Sequence, residues 1–233
     1  MNTHGHCEHP GRFLILAAIV SVITIFCFHG STAYPDNTLK LSSPPLPKEA
    51  LAGLSVTDTA DLEAGKIVVL KQDSGEGRSK KSLIKASLIF DRPIDEVWRL
   101  IKCTECQKQY LPDLRESKLV KSSSDDNITE FLLKITVFNI RYRVYHKFQN
   151  DIYRAQWHLD PGYNNDLKEL YGYWQFYRLD DNRTLARYGS KVDVGVMIPG
   201  FIEDYLTRKD LPKALDAVKK WVDSDGKYRK GSD

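Results

Sequence analysis

The chain has 233 residues, 42 % of them hydrophobic and 28 % charged, with a formal net charge of +3. This is an ordinary globular composition, long enough for one domain and some additional segments. Basic residues are interleaved with acids rather than pooled, which speaks against nucleic acid as a partner.

The first 33 residues read as an export signal. His4, His6 and Arg12 precede an apolar run from Phe13 to Phe28, and Ser31-Thr32-Ala33 follows with small residues where a signal peptidase reads. The run is short of the ~20 residues a spanning helix needs. An uncleaved membrane anchor is the alternative. Cys27 follows Ile-Phe rather than the small residues of a lipoprotein box, which argues against its lipidation. Residues 34–64 contain Ser42-Ser43-Pro44-Pro45-Leu46-Pro47 and show no periodicity, the pattern of an extended linker, with a short helix near Asp58–Ala64 as an option.

Strands and two small helices follow. Residues 65–73 form the first strand, and 83–90 alternate as the second. Pro93 with Asp95-Glu96 opens a helix whose buried face is Ile94, Val97, Trp98 and Ile101. A second short helix covers 104–110 and stops at Pro112. Six strands come next: 115–121, 128–138, 140–149, 153–159, 169–179 and 184–196, with a hairpin turn around Asn139 between the second and third. The clearest is 140–149. Ile140, Tyr142, Val144, His146 and Phe148 share one face, while Arg141, Arg143, Tyr145 and Lys147 share the other.

The end of the chain carries two helical stripes. The first is Ile198, Phe201, Ile202, Tyr205 and Leu206; the second is Leu211, Ala214, Leu215, Val218, Trp221 and Val222. They point to opposite sides of a straight helix. A helix opened by Pro199, kinked near Arg208–Pro212 and continued to Ser224 resolves the conflict. The whole reads as an α+β chain, a curved antiparallel sheet around a long C-terminal helix, with two short helices after the second strand.

Several strings in this order resemble the START-like (SRPBCC) superfamily, of the polyketide cyclase/dehydrase and coenzyme Q-binding type. They are residues 83–90 followed by Asp91-Arg-Pro-Ile-Asp-Glu-Val-Trp98, then Tyr110-Leu-Pro112 with Arg115-Glu-Ser-Lys118, then Met197-Ile-Pro-Gly-Phe201 leading to Lys209-Asp-Leu-Pro-Lys-Ala-Leu215. The resemblance implies a helix-grip fold over residues 65–225, with 226–233 as a disordered tail. It also implies an apolar cavity under the helix, in which members bind lipids, isoprenoid quinones, sterols or aromatic polyketides. Most members share no universal catalytic residue, so none is carried over.

The chemistry-bearing residues are few. Cys103-Thr-Glu-Cys106 lacks the following His of a haem site, and a zinc site would need two further ligands where only His146 and His158 remain. The expectation is a local Cys103–Cys106 disulfide stapling the two short helices, with free thiols as the alternative. His146, on the inward strand face, is either a hydrogen-bonded core residue or a handle for a ligand headgroup. Trp157 and Trp174 either line a cavity or fill it. The candidate ligand-binding set is Tyr142, Val144, His146, Trp157, Trp174, Tyr188, Phe201 and Tyr205, with no catalytic residue, metal or cofactor. Asn127-Ile-Thr129 and Asn182-Arg-Thr184 match glycosylation acceptors. The leading expectation is an exported carrier for a hydrophobic small molecule or lipid, in transient contact with a membrane through the Phe201–Leu206 stripe. The alternatives are a cyclase or aromatase using the same cavity, and an interaction module with a filled core.

Overall fold

A computed structural model describes residues 46–70, 83–194 and 210–232. The elements in order are helix α1 (Val56–Glu63), strands β1 (Val68–Leu70) and β2 (Ile84–Phe90), and helices α2 (Ile94–Ile101) and α3 (Gln107–Tyr110). Then come β3 (Leu114–Ser122), β4 (Asp126–Ile135), β5 (Phe138–Gln149), β6 (Arg154–Leu159), β7 (Glu169–Arg178), β8 (Thr184–Asp193) and helix α4 (Asp210–Asp223). The strands form one antiparallel sheet ordered β1-β2-β8-β7-β6-β5-β4-β3. Helices α2 and α4 lie on one face. The architecture is the expected α+β helix-grip arrangement.

Alternation decides which face is inward. In β5, Ile140, Val144, His146 and Phe148 are buried, and the intervening Arg141 and Lys147 are exposed. Arg143, on the outer face, is paired with Glu130 and Asp160 and lies over the Tyr163 ring. The hairpin differs from expectation. Ile135 pairs with Phe138, so the turn is Thr136-Val137, with Thr136 at φ 54°, and Asn139 sits in the ladder opposite Lys134. In the observed register Phe131 faces Tyr142 and Leu133 faces Ile140, all toward the helices. A turn centred on Asn139 would set Lys147 opposite Phe131, and the pleat would mix charges into the apolar face. Burial outweighs the local turn preference of asparagine.

The second stripe of the C-terminal helix is buried as its spacing requires. Leu211, Leu215, Val218, Trp221 and Val222 pack with Ala86, Leu88 and Phe90 of β2 and with Val97, Trp98 and Ile101 of α2. The C-terminal end of α4 is tied to the β2–α2 corner. The Asp91 N–H donates to the Asp223 carboxylate at 2.9 Å, and the Arg92 guanidinium donates to the Asp223 carbonyl at 3.0 and 3.1 Å. Lys219 donates to the Ile89 carbonyl and to the carboxylates of Asp91 and Asp223. Arg92 thereby satisfies a helix-end carbonyl, and both cations complement the negative pole of the helix. The half-helix from Pro199 to Leu206, and the bend near Arg208, lie outside the described residues.

Among the described residues, the expected linker and the expected disordered tail are both ordered, and the optional helix near Asp58–Ala64 is present as α1. Lys48–Leu51 forms a 3-10 turn, and α1 opens on Ser55, whose hydroxyl and backbone N–H exchange hydrogen bonds with Asp58 in a capping box. Ala50 and Leu62 pack on Val68, Ile89 and Leu185. Ile89 alternates with Leu88 and Phe90, so this small core covers the sheet face opposite α4. Arg187 reaches from the same face and donates to the carbonyls of Ala50 and Ala52 at 3.1 and 2.6 Å. Burial lowers its pKa. The tail is also docked: the Lys230 backbone N–H donates to the Gln109 carbonyl at 3.0 Å, and its ammonium donates to the carbonyls of Leu111 and Leu114. Neither segment has enough apolar periodicity to announce its docking, because side-chain-to-backbone bonds hold much of it in place.

Candidate ligand cavity

The curvature of the sheet leaves a space of about 250 Å³ between its inner face and the helices. β5 runs along its floor and contributes Tyr142, Val144, His146 and Phe148. Trp157 of β6, Trp174 of β7 and Tyr188 of β8 close one side. Leu211, Ala214, Leu215 and Val218 of α4 form the roof. The structure therefore brings together six of the expected residues: Tyr142, Val144, His146, Trp157, Trp174 and Tyr188. Phe201 and Tyr205 lie outside the described residues.

The aromatic side depends on a glycine. Gly172 of β7 pairs with Trp157, and a Cβ on it would lie 2.4 Å from the indole Cζ2 and 2.4 Å from the Gly189 carbonyl oxygen. Absence of that Cβ lets the Trp157 ring approach the β7 backbone closely. The ring then meets Tyr188 at 5.8 Å, and Tyr188 meets Trp174 at 4.7 Å. A glycine inside an aromatic-rich strand is the sequence signal for this close approach.

His146 lies between Phe131 and Phe148, whose ring centroids are 6.2 and 6.3 Å away. Its Nδ1 is buried with no hydrogen-bond partner among the described residues. Burial, with a smaller contribution from His158, pushes its pKa down to about 3, so the ring is neutral at ordinary pH. Burial likewise raises the pKa values of the Tyr110, Tyr142 and Tyr188 phenols, which stay protonated.

Sequence reasoning missed the third wall, built by the segment after α2. Cys103 and Cys106 are bonded to each other, Cα–Cα 5.3 Å. The turn they close carries Thr104, which lines the cavity and is 1 % exposed. The Thr104 hydroxyl meets the Thr129 hydroxyl at 2.7 Å and accepts from Asn127 Nδ2 at 3.0 Å, while the Ser117 hydroxyl donates to the Thr104 carbonyl at 2.6 Å. Asn127 is thus buried and committed, which removes it as a glycosylation acceptor. Gln107, Tyr110 and Leu111 continue this wall, and Tyr110 stacks on Trp221 of α4 at 4.9 Å. Phe131, Leu133, Ala155, Leu170, Ser190 and Val192 are further lining residues that sequence reasoning passed over. Only the alternation of their strands hinted at them.

No family model matches the chain, and no curated protein matches it by sequence. Solved structures do resemble it. The STAR-related lipid transfer protein of Xanthomonas axonopodis is similar over 67 % of this chain and 98 % of its own, at 12 % identity and a TM-score of 0.54. Human STARD10 is similar over 78 % of this chain and 82 % of its own, at 12 % identity and a TM-score of 0.53. The ZhuI aromatase/cyclase of Streptomyces sp. R1128 is similar over 62 % and 93 %, at 10 % identity and a TM-score of 0.53. The chain has the START-like helix-grip fold, in which an antiparallel sheet closes on its C-terminal helix.

Proposed function

We propose that this protein is an exported carrier that holds one hydrophobic, lipid-like molecule in the cavity beneath α4. The observation that carries this reading is the cavity itself, which the side chains of the described residues leave unfilled although aromatic and aliphatic groups surround it. A ligand burying ~300 Å² of apolar surface there gains about 7 kcal/mol at ~25 cal/mol per Å², before the costs of association and ordering. Similar folds in a lipid transfer protein and in an aromatase/cyclase support a ligand-holding use of the space. An isoprenoid, a quinone, a sterol-like molecule and a fatty acyl chain are the classes considered. The cyclase alternative needs a group that moves a proton near neutral pH. His146, with its pKa pushed down to about 3, is a weak base for that task.

Export rests on residues 1–33, and the Ile198–Leu206 stripe supports loading at a membrane surface. N-terminal sequencing of the exported protein should begin at Tyr34; a chain that keeps Met1–Phe28 in alkali-washed membranes is anchored instead. Native mass spectrometry of protein purified from its own compartment, followed by solvent extraction, tests the carrier. One apolar molecule per chain is expected. A bare chain mass, together with no uptake of the neutral probe N-phenyl-1-naphthylamine, refutes the reading.

A further inference from the structure

The cavity wall has a chemical bias that its apolar character alone does not require. Among the described residues lining it there is no Asp, Glu, Lys or Arg. Its polar side chains are five hydroxyls, one amide, one imidazole and two indoles, among them Thr104, Gln107, Tyr142, His146, Tyr188 and Ser190. Thr104 is already committed to Thr129 and Asn127. The charged groups of β5 all point the other way, and Arg143 is held outside by Glu130 and Asp160. An ionised group inside this wall would find no countercharge, and burying an unpaired ion is far costlier than burying a hydrogen-bonded neutral group. His146 presents the complementary feature. It is 7 % exposed, lines the cavity, and its Nδ1 has no partner among the described residues. A buried polar atom left without a partner is a cost that a suitable occupant removes.

We infer that the cavity selects hydrophobic ligands whose polar end is uncharged and hydrogen-bonding, such as an alcohol, phenol, ketone or quinone, and excludes ionised carboxylates, amines and phosphate esters. The inference rests on the carrier reading and narrows it. The polar end lies at the β5 floor beside His146, with the tyrosine hydroxyls of β5 and β8 as further neutral partners, and the hydrocarbon part lies under α4.

Three ligands on one skeleton provide the test: geraniol, geranic acid and geranylamine, each displacing N-phenyl-1-naphthylamine from the full chain at pH 7.4. Geraniol should compete, and the acid and the amine should each be weaker by about 100-fold or more. If the acid or the amine competes within about tenfold of the alcohol, the inference is overturned while the carrier reading stands. If neither the probe nor geraniol binds, the carrier reading falls and takes the inference with it. His146→Leu supplies the second measurement. It should weaken geraniol about tenfold and leave the matched hydrocarbon myrcene unchanged. An equal fall for both ligands would remove His146 as the polar partner.

Discussion

Replacing Val144 with tryptophan separates an empty cavity from a packed core. Val144 is 2 % exposed, sits between Thr129 of β4 and Leu159 of β6, and faces the cavity from the middle of its floor. Tryptophan is as good a strand former as valine, so the backbone has no reason to object. The added ring enters a space of about 250 Å³, and its stability cost should stay below about 1 kcal/mol, against about 1–3 kcal/mol for overpacking a filled core. In a domain of this size each 1 kcal/mol moves Tm by about 2–4 °C. An open cavity therefore predicts a fall of less than about 4 °C, and a filled one a fall of up to about 12 °C. The same ring occupies ligand space, so uptake of N-phenyl-1-naphthylamine should drop by about 100-fold or more. Differential scanning calorimetry and fluorescence titration on this single variant measure both quantities. A large loss of Tm would refute the open cavity. Unchanged Tm with unchanged uptake would show that ligand binds elsewhere.

Three other outcomes are expected. His146 has a depressed pKa in the fold, so the unfolded chain takes up a proton below pH 6.5 that the folded chain refuses. Its contribution is fully present above pH 6.5 and is lost as pH falls toward about 3, by up to ~1.4 kcal/mol per unit. Urea unfolding at pH 7 and pH 5 should show a wild-type loss about 2 kcal/mol larger than that of His146→Phe, and equal losses would contradict the buried neutral imidazole. Arg187→Met should release the segment before β1, costing about 2–3 kcal/mol and making residues 46–64 sensitive to limited proteolysis; unchanged protection would show that the apolar contacts suffice. The double change Cys103→Ser, Cys106→Ser reopens a short loop worth about 2 kcal/mol in chain entropy, to be read as a Tm fall of about 4–8 °C, whereas an unchanged Tm would show that the Thr104 network alone holds the turn.

How far the sequence could be read depended on whether the information was local. The β5 alternation and the stripe from Leu211 to Val222 are local periodicities, and each allows only one face to be buried. From them follow the sheet-on-helix layering, the inward direction of Tyr142, Val144 and His146, and the outward direction of Arg141 and Lys147. Other contacts join residues far apart in the chain, which no local pattern records. Arg187 meets Ala50 and Ala52 across the outer face, Lys230 meets Leu111 and Leu114, and Thr104 meets Asn127 and Thr129 beside the cavity. The hairpin turn lay between these cases, because asparagine favours turns locally while register across two strands decided for Thr136-Val137. Composition by itself also left the central question open, since valine, tryptophan and tyrosine serve equally to fill a core or to line a cavity. The tertiary structure adds what composition lacks: Gly172 lets Trp157 lie close to β7, and the described residues leave a space of about 250 Å³ under α4. Side-chain volume is encoded residue by residue, but the volume left over between elements exists only once they are packed.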